Sequence, residues 1–296
     1  MVVPSMAESR TIGALVARAR QVLEQAGIEN AAQEALWLVA EALGLESHQM
    51  ASQAEQPVID ERWTRAESLV SRRVAREPLQ YVLGTQEFCG LEFHVNPAVL
   101  IPRPESELLV QEALRWGEFT DGALIVDAGT GSGCLAVTLA TIVEGLRIVA
   151  IDLSEGALAV AKGNADRHAV GERIDWVQGD LLSPLRGRGM VGMVNAIVSN
   201  PPYITEADWA GLQPEVRDFE PRVALIAGPK GTEFHERLLR ESGEFLIPGG
   251  FLVMEIGQGQ LPAVRRLAEQ IGGFAPLEAV EDTAGIERVV IAQRLG

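Results

Sequence analysis

Hydrophobic residues in the first quarter of the chain recur with the period of an α-helix. Within residues 9–76, apolar positions repeat every three or four residues in three runs, with glycines at Gly27 and Gly44 ending the first two. A stripe of this kind buries one side of each helix against its neighbours. The pattern predicts a small helical domain over residues 1–78. It contains no chemical motif, so we expect any function here to be partner docking.

The pattern changes at residue 79. The stretch from Gln86 to Pro97 reads QEFCGLEFHVNP, in which two aromatic-rich segments flank Gly90 and are followed by Asn96-Pro97. Short apolar segments broken by turn residues are typical of a β-hairpin. We therefore predict a β-hairpin linker over residues 79–104.

From residue 105 onward, predicted helices and strands alternate. Strands are expected near 123–129, 147–152, 174–180, 195–203, 250–257, 274–280 and 287–293, with helical stripes between most of them. Alternation of this kind predicts an α/β domain over residues 105–296, with a mainly parallel sheet covered by helices on both faces.

Composition narrows the class of protein. The chain has 41 Asp and Glu against 25 Lys and Arg, a net charge of −16, which argues against a dedicated duplex-DNA binder because such proteins neutralise phosphates. No apolar run reaches the ~18–20 residues of a membrane span, and the first ten residues, MVVPSMAESR, show no signal-peptide pattern. We expect a cytoplasmic protein without membrane partners. The cysteines and histidines lack ligand spacing, so no metal site is expected.

A glycine-rich turn, VDAGTGSG, follows the first predicted strand of the α/β domain and opens a helix. Glycines at this place let the backbone approach a ligand at a helix N-terminus. The dinucleotide spacing G-x-G-x-x-G would require glycine where Cys134 stands. The spacing is instead G-x-G-x-G, which resembles the turn that holds the amino-acid end of S-adenosylmethionine. Its expected ligand contacts are Asp127, Gly129, Thr130, Gly131, Ser132 and Gly133.

Two further acidic residues follow the next two strands. Asp152 comes 19 residues after Gly133, where a carboxylate accepts ribose hydroxyls in related folds, although it also suits a helix cap. Asp180 follows the third strand and could accept an adenine amino group, with Leu181 packed on the ring. On sequence alone, a loop aspartate with a buried leucine explains that pair about as well.

The motif Asn200-Pro201-Pro202-Tyr203 follows the fourth strand. Two prolines fix a rigid turn and remove two backbone donors, so nearby carbonyls can face a ligand. The Asn200 side chain adds an amide oxygen, and Tyr203 adds a flat surface. Two acceptors and an aromatic face suit a planar NH2 group, and this end of the sheet is where open α/β folds bind ligands. We therefore predict that Asn200, Pro201, Pro202 and Tyr203 are catalytic and bind the substrate.

Nearly the whole chain resembles the release factor glutamine methyltransferases. The resemblance rests on EPLQYVLGTQEF, VLIPRPESELLV, VDAGTGSG, VSNPPYI, RDFEPRVAL, GGFLVMEIG and GIERVV, of which the IPRPE and RDFEP segments are the most specific. It implies a class I, Rossmann-like methyltransferase fold with a seven-stranded sheet. It also implies S-adenosyl-L-methionine as cofactor, S-adenosyl-L-homocysteine as product, and peptide chain release factors as protein substrates.

Carried over by position, the glycine turn, Asp152, Asp180, Leu181 and Asn200 would bind the cofactor, while Asn200 to Tyr203 would bind a glutamine amide. The chain departs from many relatives at Ser106, where they have threonine, and at IAGPKG, where they have Gly-Gly.

Three rival functions stay open at this point. A nucleic-acid amino-methyltransferase shares the Asn-Pro-Pro-Tyr motif, but it would need a basic recognition domain and a means of flipping bases. A ribosomal-protein glutamine methyltransferase would keep the same site and differ in the N-terminal domain. A noncatalytic S-adenosylmethionine-binding scaffold is the third rival, and the intact motif disfavours it.

Overall fold

The chain divides into two compact units, Met1–Gly84 and Thr85–Gly296. The computed structural model describes residues 10–296.

Within residues 10–84, the described part of the first unit, the structure is helical, as the pattern predicted; the first nine residues of the predicted domain lie outside the described residues. Its helices are α1 (Ile12–Gln25), α2 (Ala31–Leu43), α3 (Asp60–Val74) and the short α4 (Leu79–Leu83). Their apolar stripes form one core around Leu15, Leu23 and Leu38, which are at most 2% exposed. Arg73 of α3 and Glu34 of α2 form a buried salt bridge at 2.6 Å.

The predicted β-hairpin is present and opens the second unit. Strand β1 (Thr85–Phe88) pairs antiparallel with β2 (Leu91–His94). Cys89 and Gly90 form the two-residue turn with φ values of +50° and +75°. Two positive φ values are what a type I′ hairpin turn requires, and Gly90 meets that requirement without strain. The boundary between the two units falls between α4 and β1, so the hairpin belongs to the α/β unit.

The remaining elements alternate as expected. In chain order they are α5 (Glu107–Trp116), β3 (Leu124–Ala128), α6 (Cys134–Ile142), β4 (Arg147–Asp152), α7 (Glu155–Arg167), β5 (Ile174–Gln178), β6 (Val194–Ser199), β7 (Ile204–Thr205), α8 (Pro214–Phe219), β8 (Ile226–Gly228), α9 (Glu233–Phe245), β9 (Leu246–Glu255), α10 (Leu261–Ile271), β10 (Glu278–Glu281) and β11 (Glu287–Gln293).

Seven of these strands form one sheet in the order β10-β11-β9-β6-β3-β4-β5. The five strands from β9 to β5 are parallel, and β10 and β11 complete the sheet antiparallel. The chain runs from β3 outward through β4 to β5, and then returns to β6 on the other side of β3. That reversal creates a crevice at the carboxyl ends of β3 and β6, the place where ligands bind in open α/β sheets.

Helices cover both faces of this sheet. Leu109 of α5 and Leu139 of α6 pack with Ile125 of β3 in one core, while Leu238 of α9 and Val264 of α10 belong to the other. All five side chains are fully buried. Because each strand contributes alternate residues to the two cores, the sheet is rigid and fixes the positions of the loops at its carboxyl edge.

The segment between β6 and α9 holds three short elements that the hydrophobic pattern did not predict. They are β7, β8 and α8, and β7 pairs with β8. Over residues 10–296, no helix combines the length and apolar character that crossing a bilayer requires.

Candidate functional site

A cavity of about 340 Å³ lies at the carboxyl edge of the sheet, in the crevice beside β3. This volume is within the ~300–1,000 Å³ range of small-molecule pockets. The residues from the sequence-based predictions that line it are Gly129, Thr130, Gly131, Ser132, Asp152, Asp180, Leu181, Asn200 and Pro202. Residues from four different strand ends therefore meet in one cavity, as the α/β pattern predicted.

The glycine turn presents bare backbone to the cavity. Gly129 and Gly131 have φ values of +80° and +54°, and a Cβ added to either would meet no atom within 4 Å. The Gly129 and Thr130 amides donate to the Ile151 carbonyl at 2.8 and 2.9 Å, which ties the turn to the end of β4. The turn is thus a fixed cradle in which a ligand can approach the main chain closely.

Gly133 has a different role from the two glycines before it. It does not line the cavity, and a Cβ there would lie 3.0 Å from the Ala161 Cβ on α7. Its φ is +81°. Glycine at this position lets the start of α6 pack tightly against α7, so its contribution is structural.

Asp152, predicted from the sequence to accept ribose hydroxyls, lies at the end of β4 and lines the cavity. Its carboxylate accepts from the Gly131 amide and the Ser154 amide, both at 2.9 Å. Burial raises its pKa, and the backbone hydrogen bonds oppose that rise. Each carboxylate oxygen has two lone pairs, so capacity is left to accept hydroxyl hydrogens.

Asp127 lies beneath the cavity and is absent from its lining. The side chain is fully buried on β3, and its Oδ2 accepts from the Thr130 hydroxyl at 2.7 Å and the Ala136 amide at 3.2 Å. Burial raises its pKa to about 7. Asp127 therefore reaches the cavity only through Thr130, which it holds in place.

Two residues that the sequence analysis did not name, Phe234 and Arg237, line the cavity together with Asp180 and Leu181. Arg237 of α9 donates to both Asp180 carboxylate oxygens, and Phe234 of the same helix lines the cavity beside it. Leu181 is 7% exposed and adopts a φ of +47°, a conformation that β-carbon-bearing residues rarely take. The apolar wall here therefore combines Leu181 with an aromatic ring.

Asn200 is held at the cavity by a chain of hydrogen bonds. Its Nδ2 donates to the Ser106 hydroxyl at 2.8 Å, and Ser106 donates to Glu255 at 2.5 Å. Ser106 and Asn200 line the cavity, whereas Glu255 is 2% exposed and lies behind them.

Pro201 and Tyr203 are not among the residues that line the cavity. The Tyr203 hydroxyl donates to Glu255 at 3.1 Å, and its carbonyl accepts from Gln260 at 2.9 Å. Burial is the main cause that raises the pKa of Tyr203, so its hydroxyl stays protonated. The expected aromatic surface beneath a substrate amide remains a prediction.

The two most specific sequence segments meet in the lining of the cavity. Arg103 of IPRPE forms an ion pair with the buried Glu220 of RDFEP, whose second oxygen accepts from the Ile101 amide at 3.1 Å. Both segments contribute to the lining, with Pro102 and Arg103 from the first, and with Pro221, Val223 and Ala224 from the region after Glu220.

The site predictions omitted these lining residues of the two segments, together with Phe234, Arg237 and Glu255. The resemblance had marked the segments that contain Arg103, Glu220 and Glu255 as family-specific, but no local pattern indicated which of their side chains meet.

Comparison with known proteins agrees with this architecture. The family model described as the PrmC N-terminal domain matches residues 14–84, and the one described as the methyltransferase small domain matches residues 105–211.

Curated relatives match over most of the chain. A protein of Geobacter sulfurreducens named release factor glutamine methyltransferase is 44% identical over 271 residues, which cover 92% of each chain. A protein of the same name from Nitratidesulfovibrio vulgaris is 39% identical, with 98% of each chain covered. Among solved structures, the hMettl16 catalytic domain, in complex with an RNA hairpin, has a TM-score of 0.54 at 17% identity. It covers 79% of this chain and 81% of its own, a likeness that shows the shared fold alone.

Proposed function

The chain belongs to the release factor glutamine methyltransferases, and we propose that it methylates the glutamine of the Gly-Gly-Gln motif in peptide chain release factors. The methyl donor in this proposal is S-adenosyl-L-methionine and the acceptor is the side-chain amide nitrogen. The observation that carries the proposal is that Asn200 and Pro202 line the same cavity as the glycine turn and Asp152. Family relatives that cover more than nine tenths of the chain support the substrate class.

The residues of the cavity suit this cofactor. The bare backbone at Gly129 and Gly131 leaves room for its amino-acid end, and Asp152 offers acceptors for ribose hydroxyls. Asp180, Leu181 and Phe234 form the wall expected for adenine. When bound, the cofactor supplies an electrophilic methyl group on a positively charged sulfur.

The mechanism we propose relies on positioning, because an amide nitrogen is a poor nucleophile and has no useful pKa. Asn200 Oδ1, at the cavity, accepts one amide hydrogen and holds the nitrogen in line with the methyl group. The acceptor proposed for the second hydrogen is the Pro201 carbonyl, although Pro201 is not part of the cavity lining. The acceptors stabilise positive charge that develops on the nitrogen. The nitrogen becomes acidic as it gains the methyl group, and its proton leaves to water. No protein base is needed in this scheme.

The helical unit supports release factors over ribosomal proteins as substrates. A ribosomal-protein glutamine methyltransferase would keep the same site and differ in this unit, and residues 14–84 match the PrmC N-terminal domain. We assign the reaction to the cytoplasm. We propose no direct nucleic-acid partner, since the chain has a net charge of −16.

The test is methyl transfer to an unmethylated release factor, followed by mass spectrometry of the Gly-Gly-Gln peptide. We expect one added methyl group on the glutamine with the wild-type protein and a loss of at least ~100-fold with Asn200→Ala. Gln270→Ala removes an exposed amide on α10 and is the matched control, which should retain full activity. Transfer to a ribosomal protein alone, or full activity in Asn200→Ala, would contradict the proposal.

A further inference from the structure

Glu255 is a buried carboxylate that the proposed mechanism does not use. It ends β9 and is 2% exposed, behind the cavity. Its Oε2 accepts from the Ser106 hydroxyl at 2.5 Å and its Oε1 from the Tyr203 hydroxyl at 3.1 Å. Burying a charge is costly unless hydrogen bonds compensate, so a carboxylate retained here calls for an explanation.

The bonding of Ser106 determines which way round the Asn200 amide lies. A serine hydroxyl has one hydrogen, and Ser106 gives it to Glu255. The Ser106 oxygen can then only accept, so it must face the Asn200 NH2 group, which donates to it at 2.8 Å. With Nδ2 used in this way, Oδ1 is the end of the Asn200 amide that remains for a ligand in the cavity.

Reversing the hydrogen bonds would reverse the amide. A protonated Glu255 would donate to the Ser106 oxygen, and the Ser106 hydrogen would then point at Asn200. The Asn200 amide would have to turn by 180° to offer Oδ1 to Ser106. Its NH2 group would face the cavity, where it would meet the NH2 group of a substrate amide with no acceptor between them.

We propose that Glu255 is a positioning residue which, acting through Ser106, holds the Asn200 amide with its oxygen facing the cavity. This inference rests on the proposed function for its consequence in catalysis, but the orientation of Asn200 is a property of the protein itself. In this proposal, the negative charge of Glu255 keeps the acceptor Asn200 Oδ1 facing the cavity. The effect passes through Ser106, which lies 94 positions from Asn200 in the sequence.

The surroundings of Glu255 determine the pH at which its carboxylate takes up a proton and the Asn200 amide turns. Burial raises the pKa of Glu255, while hydrogen bonds from Ser106 and Tyr203 and the charge of Arg288 lower it, and the charge of Glu105 raises it. His235 donates from Nε2 to the Glu255 carbonyl, and burial lowers the pKa of His235. The acid limb of the turnover profile should therefore lie above the ordinary glutamate value.

The test combines two measurements over a range of pH. The first is the rate constant of methyl transfer in a single turnover. The second is the NMR signal of the Asn200 side-chain NH2 group, which is assigned because it is missing from the spectrum of Asn200→Ala. As pH falls, we expect the wild-type NH2 signal to shift together with the loss of rate. Glu255→Gln should lower the rate constant at neutral pH by roughly tenfold, abolish the coupled shift, and leave the dissociation constant of S-adenosylhomocysteine within about twofold.

Two further variants separate positioning from a general structural defect. Ser106→Ala cuts the same relay, so it should lower the rate constant by a similar factor. The double variant should be no slower than the slower single variant, because both changes remove one interaction. Glu281→Gln neutralises an exposed carboxylate on β10 and should leave the rate unchanged.

An Asn200 signal with the same pH dependence in Glu255→Gln as in the wild type would overturn the inference, as would additive rate losses. If the wild-type protein transfers nothing to a release factor, the proposed function has failed. The NMR titration then still decides the orientation of Asn200.

Discussion

Arg237 donates hydrogen bonds to both carboxylate oxygens of Asp180, at 3.1 and 2.9 Å. The pair joins α9 to the loop after β5, and both residues line the cavity. Both side chains are substantially exposed, so solvent weakens their attraction. The pair therefore fixes the direction of the Asp180 carboxylate more than it stabilises the fold.

Removing Arg237 should weaken cofactor binding without unfolding the protein. We expect Arg237→Ala to raise the dissociation constant of S-adenosylhomocysteine roughly two- to fivefold, because an exposed pair is worth about 0.2–1 kcal/mol. Calorimetry measures this directly. Arg240→Ala removes an exposed ion pair with Glu236 on the same helix, outside the cavity, and is the control. Equal effects of the two variants would show that the Asp180 pair does not serve the cofactor.

The sequence predicted the local parts of the site and missed those assembled from distant segments. The glycine turn and the Asn-Pro-Pro-Tyr motif are strand-end features, readable from neighbouring residues. The hydrogen bond from Ser106 to Glu255 joins positions 149 apart, and its chemistry is invisible until β9 lies beside the loop before α5. Long-range polar contacts of this kind have no periodic signal.

The case of Asp127 shows a second limit of sequence reasoning. It was expected to contact the cofactor, yet the structure places it beneath the turn, fully buried. Both neighbours, Val126 and Ala128, are buried as well. A parallel strand covered on both faces has no polar side, so alternation cannot reveal which way an aspartate within it points.

The glycines of the turn should respond differently to the same substitution. Gly133→Ala places a Cβ at 3.0 Å from Ala161 with φ at +81°, so we expect a loss of about 2–4 kcal/mol of unfolding free energy. Gly129→Ala has a similar φ and open space, so it should lose only about 1–2 kcal/mol. Denaturant unfolding measures both.

The two glycine variants should rank in the opposite order when the affinity for the cofactor product is measured instead of the free energy of unfolding. Gly129 lines the cavity and Gly133 does not, so Gly129→Ala should weaken S-adenosylhomocysteine binding more than Gly133→Ala does. If Gly133→Ala both destabilises the fold more and binds S-adenosylhomocysteine more weakly than Gly129→Ala, then our assignment of Gly129 to ligand binding and of Gly133 to packing is wrong.

Asp127 should make the stability of the protein depend on pH. Burial raises its folded-state pKa to about 7, above the ordinary value of 3.8, so folding favours the neutral form. Its favourable contribution is complete below the ordinary value and is lost as pH rises through about 7. Asparagine mimics the neutral form at every pH. Asp127→Asn should therefore melt at nearly the wild-type temperature at pH 4 and at least ~2 °C higher at pH 8.

The control for this prediction is Asp175→Asn, at an exposed aspartate on β5 paired with Arg188. The difference in melting temperature between Asp175→Asn and the wild type should not increase as the pH rises from 4 to 8. An Asp127→Asn protein no more stable than wild type at pH 8 would mean that unseen partners compensate the buried charge.

Glu220 should be needed for substrate methylation more than for cofactor binding. Its buried carboxylate joins Arg103 and the Ile101 amide, so it ties the segment around Arg103 to the segment after Glu220, and both of these segments line the cavity. Glu220→Gln keeps an acceptor for one partner and loses the charge, which weakens charge-assisted bonds worth about 1.5–3 kcal/mol. We expect kcat/KM for the release factor to fall roughly tenfold, with the cofactor dissociation constant changed less than about twofold.

Glu206→Gln is the matched control, since Glu206 pairs with Arg222 in the same region but both side chains are more than half exposed. Its effect on kcat/KM should be slight, because exposed pairs contribute little. A comparable loss in both variants would mean that charge in this region steers the protein substrate from a distance, and raising the salt concentration would then abolish the difference from wild type. A loss of kcat/KM that is confined to Glu220→Gln and does not depend on salt would mean that the carboxylate acts by holding the two lining segments together.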